Sequence, residues 1–335
     1  MQKDKLLISF SGGRTSAYMA YWIKNEWKDR YKYEIAVVFA NTGKEKEATL
    51  EFVEKCDKLW NLGVVWVEAI MFFGLIINGK RHTFSLQNYE RVVRKLKKLG
   101  YTDNFINSIE RFDAPALHKV VEFKTASRNG KPFEDTIKKY GIPNQSFPHC
   151  TRVMKLVPIQ SFAKRELGWE KYFTAIGIRK DEPQRLNWER AKKERLLYPL
   201  ALNNPKTKSD IALFWSKQPF NLELKSFEGN CDFCWKKAFR KLMTIHKENP
   251  EIYKWWLDME KKYENYTPPS RSEKSKPPYR FFRNGTSVEE IIEESTFPFE
   301  FAVDESNDID KWKQTSLWNF DLDSNYGCTE SCEVF

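Results

Sequence analysis

No stretch of this 335-residue chain is apolar for long enough to cross a bilayer. The opening MQKDKLLISF is charged and carries no secretory h-region. The expectation is a cytoplasmic protein with no membrane partner. An internal repeat is also lacking, which excludes solenoids and propellers. Cysteines are few: Cys56, Cys150, Cys231, Cys234, Cys328 and Cys332. In a cytosolic chain of this size a disulfide framework is not expected, so clustered thiols point to metal or redox chemistry. Cys56 sits in an amphipathic helical pattern and reads as core, which leaves five to explain.

What the chain does have is apolar residues at 41%, enough for a real core in one large domain or two modest ones. The net charge of +10 and the 15% aromatic content fit a protein that meets anions, whether nucleotides or nucleic acid. A lysine-rich solvated surface would give the same charge.

Apolar runs at Leu6 to Phe10, Ile35 to Ala40, Val64 to Val67 and Tyr172 to Ile176 read as buried strands. Helical patterns follow the first two, at Ala17 to Trp22 and Glu45 to Trp60. Another covers Pro158 to Leu167, and Leu196 to Leu202 is a last candidate strand. This alternation predicts an α/β fold, a doubly wound and mostly parallel Rossmann-like sheet. From Met71 to Tyr140 the pattern loosens, with a basic helical face at Arg91 to Lys98. Helices are expected at Ser209 to Lys217, Trp235 to Lys247 and Glu251 to Tyr263. A short helix follows Ser287, its N-cap. Three regions result: 1–205 around the sheet, 206–300 mainly helical and carrying a CxxC, and an acidic tail, 301–335.

The break at Ser11-Gly12-Gly13-Arg14-Thr15-Ser16 lies between a strand and a helix. A Walker loop would need a lysine that is absent. What remains is backbone N–H groups left approachable by Gly12 and Gly13, hydroxyls from Ser11, Thr15 and Ser16, and a helix N-terminus. Such a loop suits phosphate, and an ordinary glycine turn has the same spelling. The second strand ends in Asn41-Thr42-Gly43, which a parallel sheet would bring to the same carboxyl edge.

Strand–SGGxxS–helix resembles the PP-loop of the adenine-nucleotide α-hydrolase superfamily. Asn41-Thr42-Gly43 followed by Glu47-Ala48-Thr49-Leu50-Glu51-Phe52-Val53 is similar to the DTG…ETLxFV segment of phosphoadenosine-phosphosulfate (PAPS) reductases. Gly177-Ile178-Arg179-Lys180-Asp181-Glu182-Pro183-Gln184-Arg185 resembles that family's arginine loop, and Cys150-Thr151-Arg152-Val153-Met154-Lys155 its Cys-Cys-x-x-Arg-Lys element. The resemblance spans roughly residues 5 to 190, in family order. It implies an adenine nucleotide (ATP, APS or PAPS) held by Ser11 to Ser16, Asn41 to Gly43, Arg152, Lys155, Gly177, Arg179, Glu182 and Arg185. Arginine can grip phosphate oxygens in pairs. Asn41 replaces the family's Asp, which removes a negative charge beside the phosphates. Asp181 and Glu182 would pair with the arginines or help to hold Mg2+.

Cys150, Cys231 and Cys234 resemble, in their spacing, the [4Fe–4S] site of iron–sulfur sulfonucleotide reductases, with His149 in place of one cysteine. A fourth ligand would be His149, an open position, or Cys328 or Cys332. A Cys3His zinc site is the competing expectation. The tail, Gly327-Cys328-Thr329-Glu330-Ser331-Cys332, stands where assimilatory members carry a nucleophilic cysteine. Cys328 and Cys332, with Arg179, are therefore the candidate catalytic residues.

Three functions follow. One is a PAPS-reductase-like enzyme for sulfur transfer or sulfonucleotide reduction. The second is ATP-dependent thiolation of a nucleic acid, tRNA or DNA, with a partner supplying sulfur or electrons. The third is a nucleotide- or nucleic-acid-binding module with structural zinc and no turnover.

Overall fold

A computed structural model of the chain describes residues 3–229, 231–268, 271, 276–304 and 306. Nine strands run through the described residues. They are β1 (Asp4–Ser9), β2 (Tyr33–Asn41), β3 (Val64–Ile70), β4 (Phe72–Ile77), β5 (Lys80–Ser85), β6 (Arg111–Phe112), β7 (Leu117–Val121), β8 (Phe173–Ala175) and β9 (Leu196–Leu197). Six form one sheet in the order β7-β3-β2-β1-β8-β9. Every pairing in it is parallel except that of β7 with β3. The fold is thus α/β around a mostly parallel six-stranded sheet.

Both faces of that sheet are covered, which is why its strands are apolar without alternation. Side chains nonetheless alternate in direction. Leu6, Ile8, Val37 and Phe39 join a core that includes Ala17 and Met19 of helix α1 (Arg14–Tyr21) and Leu50, Phe52 and Cys56 of helix α2 (Glu47–Trp60). Leu7, Val38, Ala40 and Val67 turn the other way, against Ile159, Phe162 and Ala163 of the helix Val157–Arg165. Cys56 is core, as its helical pattern implies.

The chain lays down β1, β2 and β3 outward in one direction, then returns to put β8 on the other side of β1. The strand order reverses there, and at such a point open α/β sheets offer a ligand crevice at the carboxyl edge. This is what positions the candidate site.

A second core lies beyond the sheet. Phe133, Ile137, Cys150 and Met154 pack with Phe233, Trp256, Phe281 and Ile291. Conversely, Ile211, Trp215, Leu222 and Leu224 belong to the core on the sheet. Residues before and after 205 therefore share both cores.

Several elements differ from the sequence expectation. The loosened region holds a lobe between β3 and β7: β4, β5 and β6 form an antiparallel sheet, covered by helix α3 (Leu86–Lys98). Its hairpin turns on Asn78 and Gly79, both at positive φ (50° and 73°), the geometry an Asn-Gly pair favours. The strand expected over Leu196 to Leu202 stops at Leu197, and the chain turns through the next residues. The helix expected from Trp235 begins at Phe239, because the preceding residues are spent in turns around the CxxC. Ser287 is an N-cap as expected, in a reciprocal box with Glu290. No helix among the described residues is long and apolar enough to cross a membrane.

Candidate functional site

At the end of β1, Gly12 adopts φ +84°, and a Cβ there would stand 2.7 Å from Thr49 Cγ2 on α2. Only glycine meets both demands. Gly13 is the N-cap of α1 and offers no side-chain cap, so the first amides of that helix are not capped from within. Ser16 turns its hydroxyl back, donating to the Gly13 carbonyl at 3.0 Å and accepting from the Ser11 amide at 3.2 Å; the Ser11 hydroxyl lies 2.9 Å away. Arg14 departs from the expected role. Its guanidinium turns from the loop to donate to Asn221 Oδ1 (2.8 Å) and to the carbonyls of Leu222 (2.5 Å) and Leu224 (3.2 Å). Its side chain is a brace, and only its backbone belongs to the loop.

The β8 loop closes on this one from the side. A Cβ on Gly177 would lie 3.3 Å from Ser16 Cα, so its lack of a side chain lets the two loops touch. Beyond it, buried Arg179 donates from Nη1 to Thr15 Oγ1 (3.3 Å) and from Nε to Asp181 Oδ1 (2.9 Å). Glu182 accepts from the Arg179 amide at 3.2 Å and from Arg185 Nη1 at 2.6 Å. The second Nη of Arg179 makes no hydrogen bond among the described residues. Sequence motifs 164 residues apart thus meet at this carboxyl edge, with hydroxyl, amide and guanidinium donors around it. Asp181 and Glu182 serve the arginines, the first of the two roles expected for them.

The β2 loop leads elsewhere. Asn41, fully buried, donates to Glu68 Oε1 (2.7 Å) and the Ser127 carbonyl (2.9 Å), while its Oδ1 accepts from the Gly43 amide. Thr42 gives both its amide and its hydroxyl to Glu45 at 2.9 Å, and the hydroxyl lies 3.5 Å from Cys231 Sγ. Gly43 holds φ +80° beside Pro132. Glu45 bridges backbone to backbone with Cys231, and Lys44 pairs with Asp232 at 2.8 Å.

Cys150, Cys231 and Cys234 line one cavity of about 20 Å³, together with Thr42, Lys155, Lys236, Trp235 and Trp256. That volume admits one water-sized or ion-sized occupant. Burial, then the neighbouring Glu45, pushes the Cys231 thiol well up, while Lys155 and Thr42 pull it down. Three soft sulfurs with two lysines at hand suit a thiolate-bound metal. Among the described residues, however, no group of three or more His, Cys, Asp or Glu side chains is drawn together at ligating geometry.

His149 does not line that cavity. Its ring packs on Tyr140, its Nε2 is buried without a hydrogen-bond partner, and burial holds it down to about 3, with Arg271 adding to the shift. As a fourth ligand it is not brought to the thiols. Arg152 is exposed, and its charge weighs on Lys139, Tyr140 and His149 rather than on the β1–β8 crevice. Lys155 is buried, 4.0 Å from Glu45. Cys328 and Cys332 lie outside the described residues.

Over 242 residues the chain is 31% identical to the uncharacterized nin region protein ORF290 of Escherichia phage lambda, covering 72% of this chain and 69% of that protein. The chain belongs to the family of that phage protein. An uncharacterized archaeal protein, MJ0066 of Methanocaldococcus jannaschii, is 26% identical over 148 residues, 40% of this chain and 29% of its own length. No family model matches, and no solved structure matches.

Glu68 is the residue that motif reading missed. It is fully buried within β3 and accepts from Asn41, the Ser127 amide (2.5 Å), the Ser127 hydroxyl (2.8 Å) and Lys119 (2.8 Å). A single carboxylate inside the apolar run VVWVEAI was the available signal, since a charge is buried only where donors surround it. Lys44 and Asp232, which tie the β2 loop to the CxxC, carried no such signal.

Proposed function

We propose that this chain is a PP-loop enzyme of the PAPS-reductase type, holding an adenine nucleotide in the crevice between the loops after β1 and β8. The observation that carries the reading is the approach of Arg179 to Thr15 at the N-terminus of α1, at the reversal point of a parallel sheet. In this reading the α1 amides and Thr15 bind phosphate oxygens, and the open Nη of Arg179 takes a further oxygen. Asp181 and Glu182 hold that guanidinium in place before the nucleotide arrives. Gly12 and Gly177 keep the crevice floor free of side chains.

The thiols of Cys150, Cys231 and Cys234 are proposed as ligands of a metal centre: a single zinc ion fits the cavity of about 20 Å³ as it stands, and the cavity would have to widen to take an iron–sulfur cluster. When bound, such a cluster supplies thiophilic iron or electrons for sulfur chemistry. Lys155 and Lys236 would offset its negative charge, and Thr42 would link it to the β2 loop.

A second reading is ATP-dependent thiolation of a nucleic acid. It is favoured by three cysteines in place of four and by the net charge of +10.

The test is anaerobic purification and metal analysis, then incubation with PAPS or ATP in parallel. Sulfite and adenosine bisphosphate from PAPS support the reductase. AMP and pyrophosphate from ATP, stimulated by nucleic acid, support thiolation. Failure of both nucleotides to bind, with Arg179→Ala matching wild type, would remove both readings.

A further inference from the structure

The lobe between β3 and β7 springs from the carboxyl edge of the sheet, where β3 passes into β4 at residue 71. Neither the β1–β8 crevice nor the thiol cavity uses it. Its helix α3 is two-sided. Tyr89 faces the small sheet, stacked on Phe73 at 4.5 Å, and Val93 falls on the same face of the helix one turn later. Gln87, Arg91, Arg94, Lys95 and Lys98 recur at helical spacing on the opposite, exposed side.

The charges on that side are not neutralised. Glu90 pairs with Lys138 at 3.1 Å, and Lys97 pairs with Asp103 at 2.7 Å. Among the described residues, none of Arg91, Arg94, Lys95 and Lys98 is paired with a carboxylate. A lysine-rich face serving solubility alone would be expected to carry interspersed acids, as the flanks of this helix do.

Directly after the helix, Tyr101 and Phe105 stack on each other, centroids 4.7 Å apart and planes at 24°. They remain 44% and 47% exposed. Two large rings held outward cost burial that an ordinary surface would recover. A row of unpaired cations ending in an aromatic platform is the arrangement that tracks a phosphate backbone and stacks an unpaired base.

We propose that this lobe binds a single-stranded polynucleotide, with phosphates along Arg91, Arg94, Lys95 and Lys98 and a base against the Tyr101–Phe105 pair. The surface stands on these observations alone. Its consequence, that the strand is led toward the β1–β8 crevice as acceptor, rests on the thiolation reading above.

The experiment uses the full chain and fluorescence anisotropy with a labelled 20-nucleotide strand, as DNA and as RNA of one sequence, and with the matching duplex. Wild type is expected to bind the single strands more tightly than the duplex. The DNA and RNA arms show which source is preferred. Replacing Arg91, Arg94, Lys95 and Lys98 with Glu should weaken binding at least tenfold and reduce the salt-dependence slope by about 3, at roughly 0.7 per lost phosphate contact. Phe105→Ala should cost about fivefold or more with the slope unchanged.

The wild-type preference and slope need no variant, so misfolding of a variant leaves the proposal exposed to failure. Equal binding by wild type and the charge-reversed protein would overturn it. So would tighter binding to duplex, or attachment to anionic phosphatidylserine vesicles without attachment to the strands. ATP binding, measured on the same samples, separates loss of this surface from loss of the crevice.

Discussion

The hydroxyl of Thr42 stands 3.5 Å from the sulfur of Cys231, a residue 189 positions further along the chain. The turn that ends β2 and the thiol cavity therefore share a wall. Thr42→Val keeps the shape of that wall and removes the hydroxyl. Glu45, whose side chain is 3% exposed, would lose its bonds to that hydroxyl. The expected cost is about 1–3 kcal/mol in urea unfolding. Cys231 should also lose a group that lowers its pKa, so its alkylation at pH 9 should slow. Unchanged stability and alkylation would show that the wall is not shared.

Gly12→Ala tests the β1 loop. The new Cβ would meet Thr49 at 2.7 Å in a left-handed conformation. A loss of about 1–3 kcal/mol is expected, together with at least tenfold weaker ATP binding by calorimetry. Gly168→Ala is the control: it also has positive φ, but nothing lies within 4 Å of its Cβ. It should lose stability without losing nucleotide.

Asn41→Asp would set a second carboxylate 2.7 Å from Glu68. Two like charges at that distance must share a proton, so the variant should be less stable than wild type at pH 7 by about 3 kcal/mol. The deficit should shrink as pH falls toward 5 and the pair takes up that proton. Unfolding curves at pH 5, 6, 7 and 8 read it directly. A gap independent of pH would mean that shape, rather than charge, selects Asn.

Glu260 gives a pH dependence of the same sign in wild type. It is buried in the second core and accepts from the amides of Phe281 (3.0 Å) and Val288 (2.8 Å). Burial outweighs those amides and pushes its carboxyl up to about 7. Because the folded value lies above the unfolded one, its stabilising contribution is complete below about pH 4.5 and is lost as pH rises through 7. Relative to Glu260→Gln, wild type should lose on the order of 3 kcal/mol across that window. A constant difference between the two proteins from pH 4.5 to 7.5 would contradict this.

The sheet was legible because β1, β2 and β3 are apolar on both faces, and a run such as LLISF allows few other readings. The crevice was legible for a related reason: loops that follow parallel strands must share an edge. The lobe was not read, although Ile77-Asn78-Gly79-Lys80 is a strong hairpin signal. Its strands are half-exposed, and β5 opens with the polar run Lys80-Arg81-His82-Thr83. The Lys44–Asp232 pair was hidden for a deeper reason. A buried charge is defined by partners brought from elsewhere, and spacing along one segment does not announce them. Arg14 misled because its motif position suggested phosphate, whereas its partners lie more than 200 residues away.

That brace has a consequence for how the protein is made. The Arg14 guanidinium is held by carbonyls 208 and 210 residues downstream, and Trp215 returns a bond to the Arg14 carbonyl at 3.0 Å. On the ribosome this loop is synthesised well before its anchor, which emerges only when the chain has grown by 208 to 210 further residues. Until then the loop lacks the contacts that fix it. Arg14 would reach its native place only after the residues that hold it, 208 and 210 positions later, have been made.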